Sequence, residues 1–150
     1  MAAGPVSSFK ERFDQIAVSD VMHRGLVSCP SDTPLNEMAE LMVRESIHCV
    51  LVAPVDDEVE KGRWRVVSDL DLVAAPGSPW STAGNISATP TVTVSETDRV
   101  SRAAALMSEY QSAHLIVVDV LAAPVGVVST LDVARAMCSE LTAAAVEDAS

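Results

Sequence analysis

One short sequence pattern occurs twice in this chain, and the duplication restricts the possible folds more than any other feature. The pattern Val-Val-Ser-x-Leu-Asp spans residues 66–71 and again residues 127–132. Two β-branched apolar residues are typical of a buried strand, and a serine after them is a good helix cap. A carboxylate in the first helical turn is favoured by the helix dipole. Each copy therefore predicts a buried strand that turns directly into a helix.

The duplication extends over most of the chain. Three apolar pairs are separated by 65 residues: Val27 and Val92, Leu41 and Leu106, Val52 and Val117. Ser68 and Ser129 are 61 residues apart, as are Asp71 and Asp132. The difference falls in the acidic loop 55–62, where an insertion costs little. Because neither half alone covers its sheet, we predict an α+β (mixed α/β) fold: two β-α-β-β-α repeats packed as a pseudo-two-fold pair.

Turn-forming residues divide the chain between the halves. The stretch 76–81 is Pro-Gly-Ser-Pro-Trp-Ser, which is typical of a linker. We predict a lead-in helix in 1–17, the first repeat in 18–75, the linker in 76–81, the second repeat in 82–141 and a frayed tail in 142–150. Thr33 and Asp98 are predicted to cap the first helix of each repeat, and the last helix to end near Leu141.

Composition and charge exclude several classes of protein. The 150 residues carry a formal net charge of −11, which argues against binding to nucleic-acid backbones and anionic membrane surfaces. No stretch approaches the ~18 uncharged apolar residues of a membrane span. No secretory signal is visible at the N-terminus, so we expect a cytoplasmic location. The three cysteines form no Cys-x-x-Cys pair, which predicts free buried thiols in a reducing compartment.

The remaining polar candidates give no sign of a metal site or a catalytic site. His23, His48 and His114 lack metal-ligand spacing, and we predict that each packs or lies in a loop. The acidic run 56–60 is most simply a solvated loop. Ser129 has no His-Asp partner pattern, so a nucleophilic triad is disfavoured. We therefore predict no catalytic residue and no metal ligand.

The ordered set of motifs resembles a tandem pair of cystathionine-β-synthase (CBS) domains, the Bateman module. In the first half the resemblance is carried by Val18-Ser-Asp-Val-Met22, Leu26-Val-Ser28, the helix to Met42 and Val66–Asp71. In the second half it is carried by Asn85-Ile86, Val92-Thr-Val94, the helix to Met107, Leu115–Asp119 and Gly126–Asp132. The resemblance covers the chain from about Val18 to Leu141.

The resemblance implies a regulatory module, not an enzyme, that binds AMP, ADP, ATP or a related adenosyl compound in clefts between the repeats, with no obligatory cofactor. In the family motif the hydroxyl residue contacts phosphate or ribose, and the aspartate takes the ribose hydroxyls. Carried over by position, the second half supplies Gly126, Ser129, Thr130 and Asp132, with Thr91, Val92, Ala113 and His114 near the base. The first half supplies Ser68 and Asp71, with Leu26, Val27, His48 and Cys49. Arg135 lies one helical turn beyond Asp132 and adds a cation.

The halves differ at the motif, and two questions stay open. Gly126 is replaced by Arg65 in the first half, and Arg135 by Ala74, so we expect tighter binding in the second half. Ser-x-x-Asp is also a capping pattern, which leaves a purely structural role open for both aspartates. The apolar stripes of the helix after Ser129 and of the helix within 33–45 predict a homodimer. The resemblance implies an unidentified regulated protein as a further partner. The alternative function is a ligand-free dimeric scaffold with the same fold.

Overall fold

The strand-to-helix elements predicted from the duplicated pattern are both present. The computed structural model describes residues 5–53, 64–75, 81–86 and 92–149. The acidic loop 55–62, nearly all of the linker 76–81 and Thr91 lie outside the described residues. The elements in chain order are α1 (Pro5–Phe13), α2 (Val18–Val21), β1 (His23–Arg24), β2 (Ser28–Cys29), α3 (Leu35–Glu45), β3 (Cys49–Val52), β4 (Arg65–Ser68), α4 (Asp69–Ala74), α5 (Ala83–Ile86), β5 (Thr93–Ser95), α6 (Val100–Tyr110), β6 (His114–Val118), β7 (Pro124–Ser129) and α7 (Thr130–Ala149).

The predicted β-α-β-β-α order recurs in two compact units. The terminal unit comprises residues 1–24 and 92–150, and the middle unit comprises residues 25–91. The terminal unit has a sheet of order β1-β7-β6-β5, and the middle unit has a sheet of order β2-β3-β4. In each sheet the first strand of the repeat is parallel to the second, and the second is antiparallel to the third. The mixed helix-and-sheet class predicted from the sequence is therefore confirmed.

Each unit has its own apolar core. In the terminal unit, Leu115 and Val117 of β6 and Val128 of β7 are buried with α6 residues such as Met107. In the middle unit, buried strand residues meet the methionine stripe of α3: Val50, Val52, Val67, Met38 and Met42. Because aromatic residues are scarce, Val, Leu, Ala and Met fill both cores.

Strand β1 was not predicted, and it joins the sheet of the second repeat. His23 lies opposite Val127 and Arg24 opposite Gly126 in an antiparallel pairing with β7. The following residues leave the terminal unit at Gly25, whose φ of 86° favours glycine. The chain therefore contributes an early segment to a sheet that is otherwise built from residues 93–129.

Helix boundaries differ from the prediction at several ends. Pro34 and Arg99, not Thr33 and Asp98, are the cap residues of α3 and α6, and neither makes a side-chain cap bond. The Asp98 carboxylate instead accepts a hydrogen bond from the Ser95 backbone N–H at 3.0 Å, closing the turn before the helix. Helix α7 continues to Ala149, past the predicted end at Leu141. The run of alanines at 143–145 explains the extension, because alanine is the strongest helix former.

None of the three cysteines forms a disulfide bond. Cys29 is buried as predicted, but the predicted burial is wrong for Cys49, which is half-buried, and for Cys138, which is exposed on α7. Burial raises the pKa of the Cys29 thiol, with a smaller contribution from the charge of Asp32, against a hydrogen bond with Thr33 that lowers it. Among the described helices, none has the length and apolar character needed to span a membrane.

Candidate functional site

The Ser-x-x-Asp pattern forms a reciprocal cap at the start of α7. The Ser129 backbone N–H and hydroxyl donate to Asp132 Oδ2 at 2.8 and 2.9 Å. The Asp132 N–H donates back to Ser129 Oγ at 3.2 Å. The start of α4 has the same arrangement, with Ser68 N to Asp71 Oδ2 at 2.8 Å and Asp71 N to Ser68 Oγ at 3.2 Å. Both pairs therefore act as capping boxes, whatever else they bind.

Burial separates the two aspartates. Asp132 is 4% exposed and is the one charged side chain that is buried in the described part of the chain. Asp71 is exposed, and no residue of α4 is buried. A carboxylate that leaves water needs hydrogen-bond and charge partners to offset its lost hydration. The burial of Asp132 therefore exceeds what helix capping alone requires.

Two cationic or ionisable side chains face the other oxygen of Asp132. His23 Nε2 lies 2.8 Å from Asp132 Oδ1, and Arg135 Nη1 lies 3.8 Å from the same atom. The pairing of β1 with β7 brings His23 to the start of α7. The prediction that His23 packs or lies in a loop is wrong, since it lies in a strand and its side chain is 67% exposed. No local sequence signal marks this contact, because the partners are far apart in the chain.

Gly126 has a packing role that the sequence did not reveal. A Cβ atom at this position would lie 2.6 Å from the His23 carbonyl oxygen and 3.1 Å from Met22 Sδ. The space beside Gly126 is therefore filled by β1 of the same unit. In the middle unit, β4 carries Arg65 at the matching place and is an edge strand among the described residues. The difference between Gly126 and Arg65 follows from strand pairing, and a ligand contact at Gly126 stays a prediction.

Several residues that the resemblance places near the adenine base lie at the same end of the sheet of the terminal unit. His114 is paired with Ser129 in the register of β6 and β7. The Ala113 carbonyl accepts a hydrogen bond from Thr130 N at 2.9 Å. Val92 lies just before β5, and its carbonyl accepts from Ile116 N at 3.3 Å. The structure thus brings Ala113, His114 and Thr130 close to the Ser129–Asp132 cap, whereas Thr91 lies outside the described residues.

The middle unit repeats the backbone geometry with different side chains. The His48 carbonyl accepts from Asp69 N at 2.8 Å, as the Ala113 carbonyl does from Thr130. The Val27 carbonyl accepts from Leu51 N at 3.0 Å. His48 Nδ1 lies 3.0 Å from Asp69 Oδ2, and both side chains are exposed. An exposed pair of this kind contributes little to stability.

The chemistry of the terminal-unit site follows from its donors and acceptors. Asp132 Oδ2 accepts hydrogen bonds from the Ser129 N–H and hydroxyl. Asp132 Oδ1 faces the His23 imidazole and the Arg135 guanidinium. A carboxylate oxygen accepts hydrogen bonds from hydroxyl groups, and a guanidinium donates to phosphate or carboxylate oxygens. The arrangement is suited to a ligand that carries hydroxyl groups beside an anionic group.

The repeat architecture and the paired capping motifs define a tandem-repeat domain of mixed helix and sheet. The CBS domain family model matches residues 18–76 and 83–139, so the chain belongs to the CBS domain family. Sequence comparison with curated proteins finds no significant match.

Solved structures with the same fold include a CBS domain pair. The CBS domain pair of protein MJ0100, in complex with 5′-methylthioadenosine and S-adenosyl-L-methionine, has a TM-score of 0.71 at 22% identity, covering 83% of this chain and 97% of that chain. CBSX2 in complex with AMP has a TM-score of 0.62 at 24% identity, covering 83% and 97%. The cytosolic domain of the Mg²⁺ channel MgtE in complex with ATP has a TM-score of 0.63 at 25% identity, covering 87% and 52%.

Proposed function

We propose that this protein is a non-catalytic regulatory module that binds an adenosyl ligand, such as AMP, ADP or ATP, at the Ser129–Asp132 site. Membership of the CBS domain family supports the proposal, as do three similar structures solved with adenosyl compounds. In this proposal Asp132 accepts from the ribose hydroxyls, and Arg135 faces the phosphate. Thr91, Val92, Ala113 and His114 lie near the base, and Ser68, Asp71, Val27 and His48 form a weaker counterpart in the first repeat.

The observation that carries the proposal is the burial of Asp132. An aspartate that only caps a helix can stay in water, as Asp71 does. Asp132 is buried beside an imidazole and a guanidinium, although burying a carboxylate is costly. A ligand-binding role gives a reason to keep such a group at this place.

Calorimetry with a panel of AMP, ADP, ATP, S-adenosylmethionine and NAD tests the proposal. We expect at least one to bind, with AMP tighter than metal-free ATP, because Arg135 is the main cation at the site and the chain carries a net charge of −11. Mg²⁺ should narrow that difference. A panel with no binding would favour the scaffold alternative.

Binding would act through a population shift. A ligand that prefers one conformation of the module stabilises that conformation, and a regulated partner protein binds the conformations with different affinity.

In this proposal the protein works in the cytoplasm, and its repeats extend over residues 18–75 and 82–141.

The second candidate, a dimeric scaffold, is favoured by an apolar groove between α6 and α7. The groove has a volume of about 330 Å³ and is lined by Ala104, Met107, Ser108, Thr130, Val133, Ala134 and Met137. Apolar association of this kind should persist at high salt. In either function we propose a homodimer formed through these helices.

Light scattering at micromolar concentration in low and high salt tests the dimer. Met137→Lys should shift the protein to monomer, because it places a charge in the groove. Leu121→Lys is the matched control, since Leu121 is 84% exposed and lies in the loop between β6 and β7, away from the groove. A wild-type monomer at both salt concentrations would contradict the proposal.

A further inference from the structure

The contact between His23 and Asp132 has a consequence for any ligand that uses this carboxylate. The hydrogen-bonding capacity of Asp132 is limited, since each carboxylate oxygen has two lone pairs. Oδ2 already accepts from Ser129 N and from Ser129 Oγ. Oδ1 lies 2.8 Å from His23 Nε2, within hydrogen-bond distance. A ribose diol offers two hydroxyl donors, so His23 occupies one of the acceptor positions that the diol needs.

The two partners differ in their freedom to move. The Asp132 side chain is buried and fixed by the capping box, whereas the His23 side chain is 67% exposed. An exposed imidazole can rotate away from the carboxylate into water at small cost, while Asp132 cannot follow it. Displacement of His23 is therefore the step that frees the second acceptor position of Oδ1, which a ribose diol needs.

We propose that His23 is a gating residue whose imidazole competes with the ligand ribose for Asp132 Oδ1, so that acidification closes the site. The proposal rests on the proposed function, in which Asp132 binds the ribose hydroxyls. A neutral imidazole makes an ordinary hydrogen bond to the carboxylate, and an imidazolium makes a charge-assisted one, which is roughly twice as strong. Histidine side chains change charge between pH 5 and 8. Protonation of His23 therefore raises the cost of displacing it.

Charged groups lie on three described elements beside His23, namely α7, β1 and α2, and on α2 the Asp20 carboxylate accepts a hydrogen bond from the Ala17 N–H at 3.1 Å. Asp132 and Arg135 face it from α7. Arg24 is its neighbour in β1, where successive side chains point to opposite faces. Strand β7, which pairs with β1, contains no titratable side chain. His23 is thus the group whose charge change acts most directly on Oδ1.

The test measures the affinity of adenosine by calorimetry at pH 8.0 and pH 5.5. Adenosine is uncharged over this range, so phosphate titration does not enter. We expect the wild-type protein to bind adenosine about ten-fold more weakly at pH 5.5, in keeping with the stronger charge-assisted bond. His23→Ala should bind with less than two-fold pH dependence and more tightly than wild type at pH 5.5. His23→Gln, a neutral donor that does not titrate, should also lose the pH dependence.

Arg24→Ala is the matched control, because it removes a cation from the next position of the same strand. It should keep the wild-type pH dependence. The proposal is overturned if wild-type affinity is independent of pH, if His23→Ala keeps the dependence, or if Arg24→Ala removes it equally. If neither adenosine nor any member of the calorimetry panel binds the wild type or His23→Ala at pH 8.0, the proposed function fails and the gate with it. Adenosine binding without a His23 effect overturns only the gate.

Discussion

Asp132 and Asp71 occupy the same position of the repeated motif but differ in burial and in the contacts that they make. Both accept a backbone hydrogen bond from the serine three residues earlier. Asp132 also accepts from the Ser129 hydroxyl, contacts His23 and is buried, whereas Asp71 faces solvent. Removal of a buried acceptor leaves its donors without a partner, which costs more than removal of an exposed one.

The first prediction compares alanine substitutions at these two positions. Asp132→Ala should lower the free energy of unfolding by ~1–3 kcal/mol, because Ser129 N–H loses its partner at a half-buried position. It should also weaken adenosine binding about ten-fold or more. Asp71→Ala should cost only ~0.5–1 kcal/mol, as for other capping residues, and leave the tighter binding event intact. Urea unfolding and calorimetry on both variants provide the measurements.

A reversed pattern would contradict this reading. If Asp71→Ala removes the tighter binding event and Asp132→Ala leaves it, the first-repeat site is the stronger one. If both variants lose stability and neither loses affinity, the aspartates act only as caps.

A second prediction concerns Gly126. Gly126→Ala should displace β1 from β7, because the added Cβ would lie 2.6 Å from the His23 carbonyl oxygen. We expect a loss of ~1–3 kcal/mol in the free energy of unfolding, the usual range for overpacking. Gly25→Ala is the comparison, since no atom lies within 4 Å of a Cβ there and only its φ of 86° opposes the change. It should cost ~1–2 kcal/mol, the penalty of one left-handed residue.

The two glycine variants should differ in their effect on ligand binding. Gly126→Ala should alter the pH dependence of adenosine binding, because it moves His23, whereas Gly25→Ala should leave it unchanged. Equal effects of the two variants on binding would argue against the packing role assigned to Gly126.

At the scale of single elements, the long-range strand was the feature that the sequence could not reveal. The strands and helices of the repeats follow from apolar periodicity and from the duplicated pattern, both of which are local. Strand β1 is two polar residues long, and its partner β7 begins about a hundred residues later. Neither hydrophobic alternation nor turn chemistry marks such a segment. The His23–Asp132 contact depends on this strand, so it was missed for the same reason.

The C-terminal ends of α3 and α6 share a left-handed cap residue. Ser46 and Gln111, which are 65 residues apart, both adopt left-handed backbone, with φ values of 54° and 51°. Each ends its helix by donating its N–H to a carbonyl of the last turn. Glycine adopts this conformation with less strain than serine or glutamine.

The third prediction follows from these helix ends. Ser46→Gly should raise the free energy of unfolding by about 0.5–1 kcal/mol, because the left-handed strain is removed. Ala39→Gly is the control, since Ala39 is exposed inside the same helix, and it should lower stability by about 1 kcal/mol. Urea unfolding of the two variants distinguishes the effects. A loss of stability in Ser46→Gly would show that the serine side chain has another role there.

At the scale of the whole molecule, sequence repeats and compact units do not coincide. The family matches begin at residues 18 and 83, but the compact units are residues 25–91 and the combined segments 1–24 and 92–150. Helix α5 belongs to the second sequence repeat, yet Ala83 is buried in the core of the middle unit. The Ala83 and Gly84 N–H groups donate to the Thr33 and Ser31 carbonyls at 2.9 and 2.7 Å.

The fourth prediction concerns fragments. A fragment of residues 25–91 should show more ordered tertiary structure than a fragment of residues 18–75. The 25–91 fragment retains α5 and its contacts. The 18–75 fragment lacks α5 and contains β1 without its partner β7. Circular dichroism and the dispersion of amide NMR signals measure the order of each. Cooperative unfolding of 18–75 alone, with 25–91 disordered, would contradict the assignment of the units.

The pairing of β1 with β7 also sets the order in which the protein can fold while it is being made. The ribosome produces His23 about a hundred residues before it produces the strand that pairs with it. At roughly 5–20 residues per second, the wait lasts on the order of 5–20 s. The middle unit has all its residues within this interval. During synthesis β1 therefore waits for its partner β7 while all the residues of the middle unit are already available to fold.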